Sequence, residues 1–135
     1  IYCKTLKPIK KISTKEFPGY PTDLQAQLIA TQLKSGLKSK VVENIFENRF
    51  IHIPELRRFG ANLSIKGNTV TIDKTSNLLG AEVMATDIRA SFSLIIAAMM
   101  SKGKTVINRI YHLDRGYEDF DLKLKKCGVN ISRKK

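Results

Sequence analysis

The stretch Leu56-Arg57-Arg58-Phe59-Gly60-Ala61-Asn62-Leu63 returns later in the chain as Leu124-Lys125-Lys126-Cys127-Gly128-Val129-Asn130-Ile131. Every position keeps its residue class except the fourth, where an aromatic residue is exchanged for a thiol. A second block, Thr22-Asp23-Leu24-Gln25-Ala26, returns in the same order as Thr86-Asp87-Ile88-Arg89-Ala90. Chance rarely aligns two separate blocks in one order, so the sequence predicts two copies of one structural unit.

The two copies are expected at residues 1–77 and 78–135, and each combines helices with strands in an α/β fold. Thr22 and Gln25 have the spacing of a capping box, which predicts the start of a helix over about 23–35. The first unit should also contain a strand at 41–46, a short helix from near Pro54 to Gly60, and a hairpin that turns at Gly67-Asn68. The second unit should repeat this order with a strand from Leu79, helices at about 87–101 and 117–126, a strand at 105–111 and a final strand.

The long helix of the second unit is apolar on nearly every face between residues 92 and 100, which is typical of a helix buried between other elements. Met99 and Met100 are therefore predicted to fill the core. Cys127 takes the place of an aromatic residue in the repeated block, which predicts a buried apolar side chain rather than a nucleophile.

Charge and composition limit the classes of partner. The chain has 24 Lys and Arg residues against 12 Asp and Glu, a formal net charge of +12, and such a field attracts nucleic acids, acidic membrane surfaces or phosphorylated metabolites. The lysines are scattered along the whole sequence, which is typical of a solvated surface. Two cysteines, Cys3 and Cys127, are too few for a disulfide framework or a zinc site, and no metal or cofactor is expected.

The uncharged run at residues 90–101 falls short of the about 20 residues that a membrane span needs, and no signal peptide is visible. The sequence therefore predicts a cytoplasmic protein that does not enter a membrane. The chain begins at Ile1 without an initiator Met, on a segment already rich in β-branched and basic residues, which suggests a cut inside a longer chain.

Arg89 stands in the first turn of the long helix of the second unit, where the helix dipole disfavours a cation. One interpretation is an anion site, because a helix N-terminus binds anions and a guanidinium fork suits carboxylate or phosphate. The other interpretation is an arginine that reaches into solvent. Asp23 and Asp87 are placed at first helical positions, where the helix dipole stabilises a negatively charged side chain. Asp23 also follows the stiff loop 17–21, which would let it present a base to a cleft.

Arginines also occur in both connections that lead from a strand into a helix, and such connections are common ligand sites in α/β proteins. Arg49 lies in the first connection and Arg115 in the second. His52 and His112 lie in comparable places. Without cysteine or carboxylate partners at ligand spacing, we interpret them as local hydrogen-bonding residues.

Four stretches together resemble the UDP-N-acetylglucosamine enolpyruvyl transferase family. They are Phe17-Pro18-Gly19-Tyr20-Pro21-Thr22-Asp23-Leu24-Gln25-Ala26-Gln27, Ile45-Phe46-Glu47-Asn48-Arg49-Phe50, Met84-Ala85-Thr86-Asp87-Ile88-Arg89-Ala90-Ser91 and Arg109-Ile110-Tyr111-His112-Leu113-Asp114-Arg115-Gly116-Tyr117-Glu118. The resemblance runs from about residue 8 to residue 132 and covers only the C-terminal part of such enzymes. It implies an inside-out α/β barrel with the active site between two globular halves, of which this chain supplies two units of one half.

The resemblance also implies an activity. Enzymes of that family transfer the enolpyruvyl group of phosphoenolpyruvate to the 3′-hydroxyl of UDP-N-acetylglucosamine and release phosphate, in the first committed step of peptidoglycan synthesis. Their proton-donating cysteine and phosphate-binding lysine lie on the N-terminal part of the enzyme, which is the expected partner of this chain. We therefore expect these residues alone to show no turnover.

The site residues that the resemblance implies are one base, one sugar contact and a group of charged residues. Asp23 matches an aspartate that contacts the sugar hydroxyl and is proposed as the general base, and Ile45 matches a position that touches the nucleotide sugar. Phosphoenolpyruvate is expected to be surrounded by Arg49, Arg89 and Arg115. Asp87 matches an acid that handles a proton or orients Arg89.

Two alternatives remain at this stage. The related 5-enolpyruvylshikimate-3-phosphate synthase has the same fold and donor but another acceptor, and the stretches around Arg49 and Arg115 favour the nucleotide-sugar enzyme. A basic nucleic-acid-binding module belongs to a different class. It is disfavoured because no recognition motif, aromatic platform or single basic stripe is visible.

Overall fold

The computed structural model describes residues 6–134 and places them in an α/β fold with two sheets. The strands are β1 Lys11–Ser13, β2 Ser39–Val42, β3 Leu63–Lys66, β4 Thr69–Ile72, β5 Glu82–Met84 and β6 Val106–Asn108. The helices are α1 Gln25–Gln32, α2 Ile53–Arg58, α3 Ile88–Met100, α4 Tyr111–Asp114 and α5 Phe120–Lys126, with a 3₁₀ turn at Thr22–Leu24 before α1.

Each sheet contains one parallel pair of strands connected through a helix. In the four-stranded sheet, with strand order β1-β2-β4-β3, β1 and β2 are parallel and are connected through α1, while β4 is antiparallel to both β2 and β3. Val41 on β2 therefore lies between Ile12 and Val70. In the two-stranded sheet, β5 and β6 are parallel and are connected through α3. The predicted α/β class is confirmed.

The main core forms where α1 and α3 pack against each other and against the four-stranded sheet. It contains Ile29 of α1, Leu94 of α3 and Val70 of β4, each at most 1% exposed. A smaller cluster around Ile95 and Phe120 attaches α5 to the other side of α3. In the part of the chain that the structure describes, no helix has both the length and the apolar content to cross a membrane.

Local turn chemistry explains several element ends. Gly60 follows α2 with a φ of 83°, and Gly128 follows α5 with a φ of 87°. Because L side chains are strained in this left-handed region, the glycine of the repeated block is required twice. Pro54 lies in the first turn of α2, and Gly67 opens the turn between β3 and β4, as the sequence predicts.

Side-chain hydrogen bonds shift the starts of the two long helices. The capping box is wrong, because the hydroxyl of Thr22 donates to Glu43 Oε2 at 2.7 Å and the α-helix begins only at Gln25. Asp87 is the N-cap of α3 rather than its first residue, since its carboxylate accepts the backbone N–H groups of Arg89 and Ala90. The strand expected at 41–46 ends at Val42.

The C-terminal segment departs most from the expected repeat. Residues 129–134 form no strand, and Arg133 pairs with Asp114 and Asp121. Cys127 is exposed at the end of α5 and is not a core residue. Met99 is 47% exposed, whereas Met100 packs against the core. Cys3 lies outside the described residues.

One core position is polar. His52 precedes α2 and is 1% exposed, and its Nε2 has no hydrogen-bond partner among residues 6–134. Burial lowers the pKa of His52 from 6.5 to about 4, although the charge of Asp87 and the backbone of Arg49 oppose the change. The folded protein therefore holds this imidazole in its neutral form.

Shortening a side chain in the contact between α1 and α3 should destabilise the protein. We expect Leu94→Ala to lower the free energy of unfolding by roughly 2–5 kcal/mol, because it leaves a cavity between α1 and α3. On the same helix, the half-exposed Met99→Ala should cost less than about 1 kcal/mol. Urea unfolding of both variants measures the difference, and equal losses would contradict the described packing.

His52 should make stability depend on pH. The unfolded chain takes up a proton near pH 6.5 and the folded chain only near 4, so the free energy of unfolding should fall as the pH drops through this interval, by on the order of 3 kcal/mol. His52→Gln should remove this part of the pH dependence. The control is Gln25→Leu, which also changes a buried polar side chain; it should lower stability but keep the pH dependence. An unchanged pH dependence of stability in His52→Gln would refute the assignment to His52.

Candidate functional site

Three separate segments meet where α1 and α3 begin. They are the 3₁₀ turn Thr22–Leu24, the loop at 43–52 that follows β2, and the first turn of α3. The packing of α1 along α3 brings the two helix N-termini side by side, although they are far apart in sequence. Charged side chains from all three segments form one cluster there.

Asp23 is the centre of this cluster. Its Oδ1 accepts a hydrogen bond from Arg49 Nη1 at 3.1 Å and another from Arg89 Nε at 2.6 Å. The hydrogen bond from Arg49, together with the hydrogen bond and charge of Arg89, holds the pKa of Asp23 below its usual value. The carboxylate is ionised and doubly stabilised, so it is a weak base, and its proton affinity rises when a guanidinium group moves away.

Arg49 is the most restrained of the charged side chains. Its Nη1 also donates to the hydroxyl of Thr22 at 3.1 Å, and its guanidinium lies 4.3 Å from the centre of the Phe46 ring. The side chain is 18% exposed, against 40% for that of Arg89. Asn48, just before it, has a φ of 54°, a left-handed conformation that asparagine tolerates better than most residues.

Asp87 fixes the start of α3 and therefore the backbone of Arg89. Its Oδ1 accepts the N–H of Arg89 at 2.8 Å and the N–H of Ala90 at 3.0 Å. The unfavourable position of Arg89 in the first helical turn is thus offset by two carboxylates, one at the cap and one on Asp23.

A cleft of about 250 Å³ opens beside this cluster. Its lining contains Arg49, Asp87 and Arg89, together with the buried side chains of Gln25 and His52. Gln25 Oε1 and His52 Nε2 are both buried and have no hydrogen-bond partner within residues 6–134. The cleft therefore offers the two guanidinium groups to an anion, while Gln25 Oε1 and His52 Nε2 are buried in its wall.

Other places fit an anion or a metal less well. A wider depression of about 510 Å³ is lined mainly by acids, with Arg133 already paired to two of them. Across the described residues, no three His, Cys, Asp or Glu side chains are grouped so as to hold a metal ion.

Two predicted site residues lie outside the charged cluster. Ile45 is half-buried, and its N–H donates to Glu43 Oε1 at 2.8 Å, so only the loop backbone connects it with the cluster. Arg115 is exposed just after α4, and its side chain makes no hydrogen bond or ion pair with any other described residue. Its neighbour Gly116 lies against Ile88, which places the Arg115 turn next to the start of α3.

Glu43 was missed by the sequence reasoning. It is 3% exposed and accepts hydrogen bonds from the hydroxyls of Thr14 and Thr22 and from two backbone N–H groups of its own loop. The available signal was a single acid directly after the apolar end of β2, at the edge where ligand loops of α/β proteins begin.

Comparisons with known proteins show the family of the chain. The family profile described as EPSP synthase (3-phosphoshikimate 1-carboxyvinyltransferase) matches residues 3–124. Relatives named UDP-N-acetylglucosamine 1-carboxyvinyltransferase include one from Rhodopseudomonas palustris (strain TIE-1), 57% identical over 90% of this chain and 28% of its own length. Another, from Helicobacter hepaticus, is 54% identical over 98% of this chain and 31% of its own length.

A solved structure gives the same picture. The enolpyruvyl transferase NikO from Streptomyces tendae superposes with a TM-score of 0.85 at 28% identity, over 97% of this chain and 30% of that one. The chain thus spans about a third of the length of the relatives it matches. Because the family profile covers most of the sequence and the fold is shared, the chain belongs to the EPSP synthase family of enolpyruvyl transferases.

Proposed function

We propose that this chain forms the C-terminal part of an enzyme that transfers the enolpyruvyl group of phosphoenolpyruvate to the 3′-hydroxyl of UDP-N-acetylglucosamine and releases phosphate. This would be the first committed step of peptidoglycan synthesis. The names of the relatives support the substrates. The observation that carries the proposal is the cluster in which Asp23 shares one oxygen between Arg49 and Arg89.

The cluster suits both halves of this reaction. Guanidinium groups bind carboxylate and phosphate through paired hydrogen bonds, so Arg49 and Arg89 are the proposed ligands of phosphoenolpyruvate and of the anionic intermediate. Arg115 joins them from its turn beside α3. Asp23 is the proposed general base for the sugar hydroxyl.

Binding and base strength are connected in this arrangement. The guanidinium groups of Arg49 and Arg89 both contact Asp23. An anionic substrate that draws either group towards itself removes a stabilising partner from Asp23, and the carboxylate becomes a better proton acceptor. Deprotonation of the sugar hydroxyl then follows binding of phosphoenolpyruvate.

The remaining two site residues have supporting roles. Asp87 caps α3, and we assign it the orientation of Arg89, although a role in proton handling fits the same position. Ile45 is the proposed contact to the nucleotide sugar, from a loop held against the turn of Asp23. No metal or cofactor enters the proposal.

At the level of the fold, we propose two repeated units, 1–77 and 78–135, of an inside-out α/β barrel. The recurrence of a parallel strand pair connected through a helix supports this, as do the paired glycines 60 and 128. The partner of this chain is the N-terminal part of the same enzyme, and the proposed location is the cytoplasm. The proposal involves no nucleic acid and no membrane.

A second candidate is 5-enolpyruvylshikimate-3-phosphate synthase activity, because the matching family profile carries that description. The two candidates share the donor and differ in the acceptor. They are therefore distinguished by an assay that offers UDP-N-acetylglucosamine and shikimate-3-phosphate separately.

Activity should depend on the rest of the enzyme. We expect this chain alone to release no phosphate from phosphoenolpyruvate, because part of the site lies elsewhere. Substituted for the matching segment of a full-length relative, it should support phosphate release with UDP-N-acetylglucosamine as acceptor. Normal turnover by the isolated chain, or a folded hybrid without activity, would contradict the proposal.

The arginines should be sensitive to a conservative change. In the complete enzyme, Arg49→Lys and Arg89→Lys should each lower kcat/KM for phosphoenolpyruvate by roughly 10-fold to 100-fold, because an ammonium group cannot form paired hydrogen bonds. Arg58→Lys is the matched control, since Arg58 donates to the backbone of Glu82 away from the cluster. A loss of the same size in the control would argue against the assigned roles.

A further inference from the structure

A buried carboxylate lies directly behind the charged cluster. Glu43 is 3% exposed, and its Oε1 accepts the hydroxyl of Thr14 at 2.8 Å and the N–H groups of Ile45 and Phe46 at 2.8 and 3.2 Å. Its Oε2 accepts the hydroxyl of Thr22 at 2.7 Å. Burial raises the pKa of Glu43, but these hydrogen bonds outweigh burial and lower it, so the group is ionised.

The hydrogen bond from Thr22 has a fixed direction. An ionised carboxylate only accepts, so the single hydroxyl proton of Thr22 must point to Glu43. The oxygen of Thr22 is then free to accept, and Arg49 Nη1 donates to it at 3.1 Å. The same nitrogen donates to Asp23 Oδ1, which also accepts Arg89 Nε. A continuous chain of hydrogen bonds therefore runs from Glu43 to α3.

A second connection from Glu43 reaches the same guanidinium. Glu43 accepts the N–H of Phe46, and the ring of Phe46 lies 4.3 Å below the guanidinium carbon of Arg49. The carboxylate thus restrains Arg49 from two sides, through the hydroxyl of Thr22 and through the aromatic ring. Neither restraint involves a contact between Glu43 and the cleft itself.

We propose that Glu43 is a positioning residue: through Thr22 and Phe46 it holds Arg49 where it can share Asp23 with Arg89 and receive an anionic substrate. This inference rests on the proposed function for the substrate and on the hydrogen-bond chain for the geometry. If Glu43 only stabilised the loop, its hydrogen bonds to Thr14 and to the loop N–H groups would be sufficient. The distinguishing contact is Thr22, which connects Glu43 with Arg49.

Three variants of the complete enzyme separate these roles. Thr22→Val removes the hydroxyl that connects Glu43 with Arg49, and Glu43→Gln reverses that hydrogen bond, because an amide nitrogen donates. Both should lower kcat/KM for phosphoenolpyruvate by about tenfold or more, chiefly through KM. Thr22→Ser keeps the hydroxyl and should restore most of the loss.

Thr14→Val is the matched control. Thr14 also donates to Glu43 and accepts the N–H of Asn44, but it makes no contact with Arg49. We expect this variant to unfold at lower urea concentration with kcat/KM close to that of the parent. Equal kinetic losses in Thr14→Val and Thr22→Val would overturn the proposal and leave Glu43 with a structural role only.

A double-mutant cycle tests the path through Arg49. In an Arg49→Lys background, Thr22→Val should lower kcat/KM for phosphoenolpyruvate little further, because its effect acts through the guanidinium group that is missing. Full additivity would overturn the proposal.

One measurement does not need turnover. In a carboxyl ¹³C NMR titration, the pKa of Asp23 should rise towards the ordinary aspartate range in Thr22→Val and Glu43→Gln, but not in Thr14→Val. This outcome supports the positioning role even if the parent enzyme transfers no enolpyruvyl group, in which case only the proposed function fails. An unmoved titration in all variants overturns the positioning role itself.

Discussion

The packing of α1 against α3 is the constraint on which the rest of this structure depends. Apolar side chains such as Ile29 and Leu94 leave water only if the two helices lie side by side. That arrangement brings together two N-termini, each of which carries a partial positive charge. The polar residues at these ends then have to compensate one another across the interface. Asp23 from the 3₁₀ turn before α1 and Arg89 from the first turn of α3 do so at 2.6 Å.

The sequence predicts the features whose causes are local. The glycines at 60 and 128 follow from backbone conformations that L side chains tolerate poorly, and Pro54 and the Gly67 turn follow from equally short-range rules. The α/β class is confirmed for the same reason, because hydrophobic patterns report local structure. The length of β2 could not be predicted in this way, since Glu43 ends the strand through contacts with residues about 20 or 30 positions earlier.

The candidate site divides along the same line. The resemblance identified Asp23, Arg49, Asp87 and Arg89, and these four meet in one cluster, but no local pattern indicates that Thr22 would bond to Glu43 rather than cap a helix. The exposure of Cys127 and Met99 was also out of reach, because it depends on what packs over the end of a helix. Arg115 shows the opposite case, a residue next to the cluster along the backbone but without a polar contact to it.

The shared oxygen of Asp23 has a thermodynamic consequence. A proton on Asp23 and an anion on the two guanidinium groups compete for the same electrostatic partners, so their equilibria are linked, and linkage is reciprocal. Whatever factor anion binding adds to the proton affinity of Asp23, protonation of Asp23 adds to the anion affinity of the arginines. Asp23 lies at the start of α1 and Arg89 at the start of α3. One carboxylate oxygen therefore couples anion binding at one helix end to the protonation of Asp23 at the other.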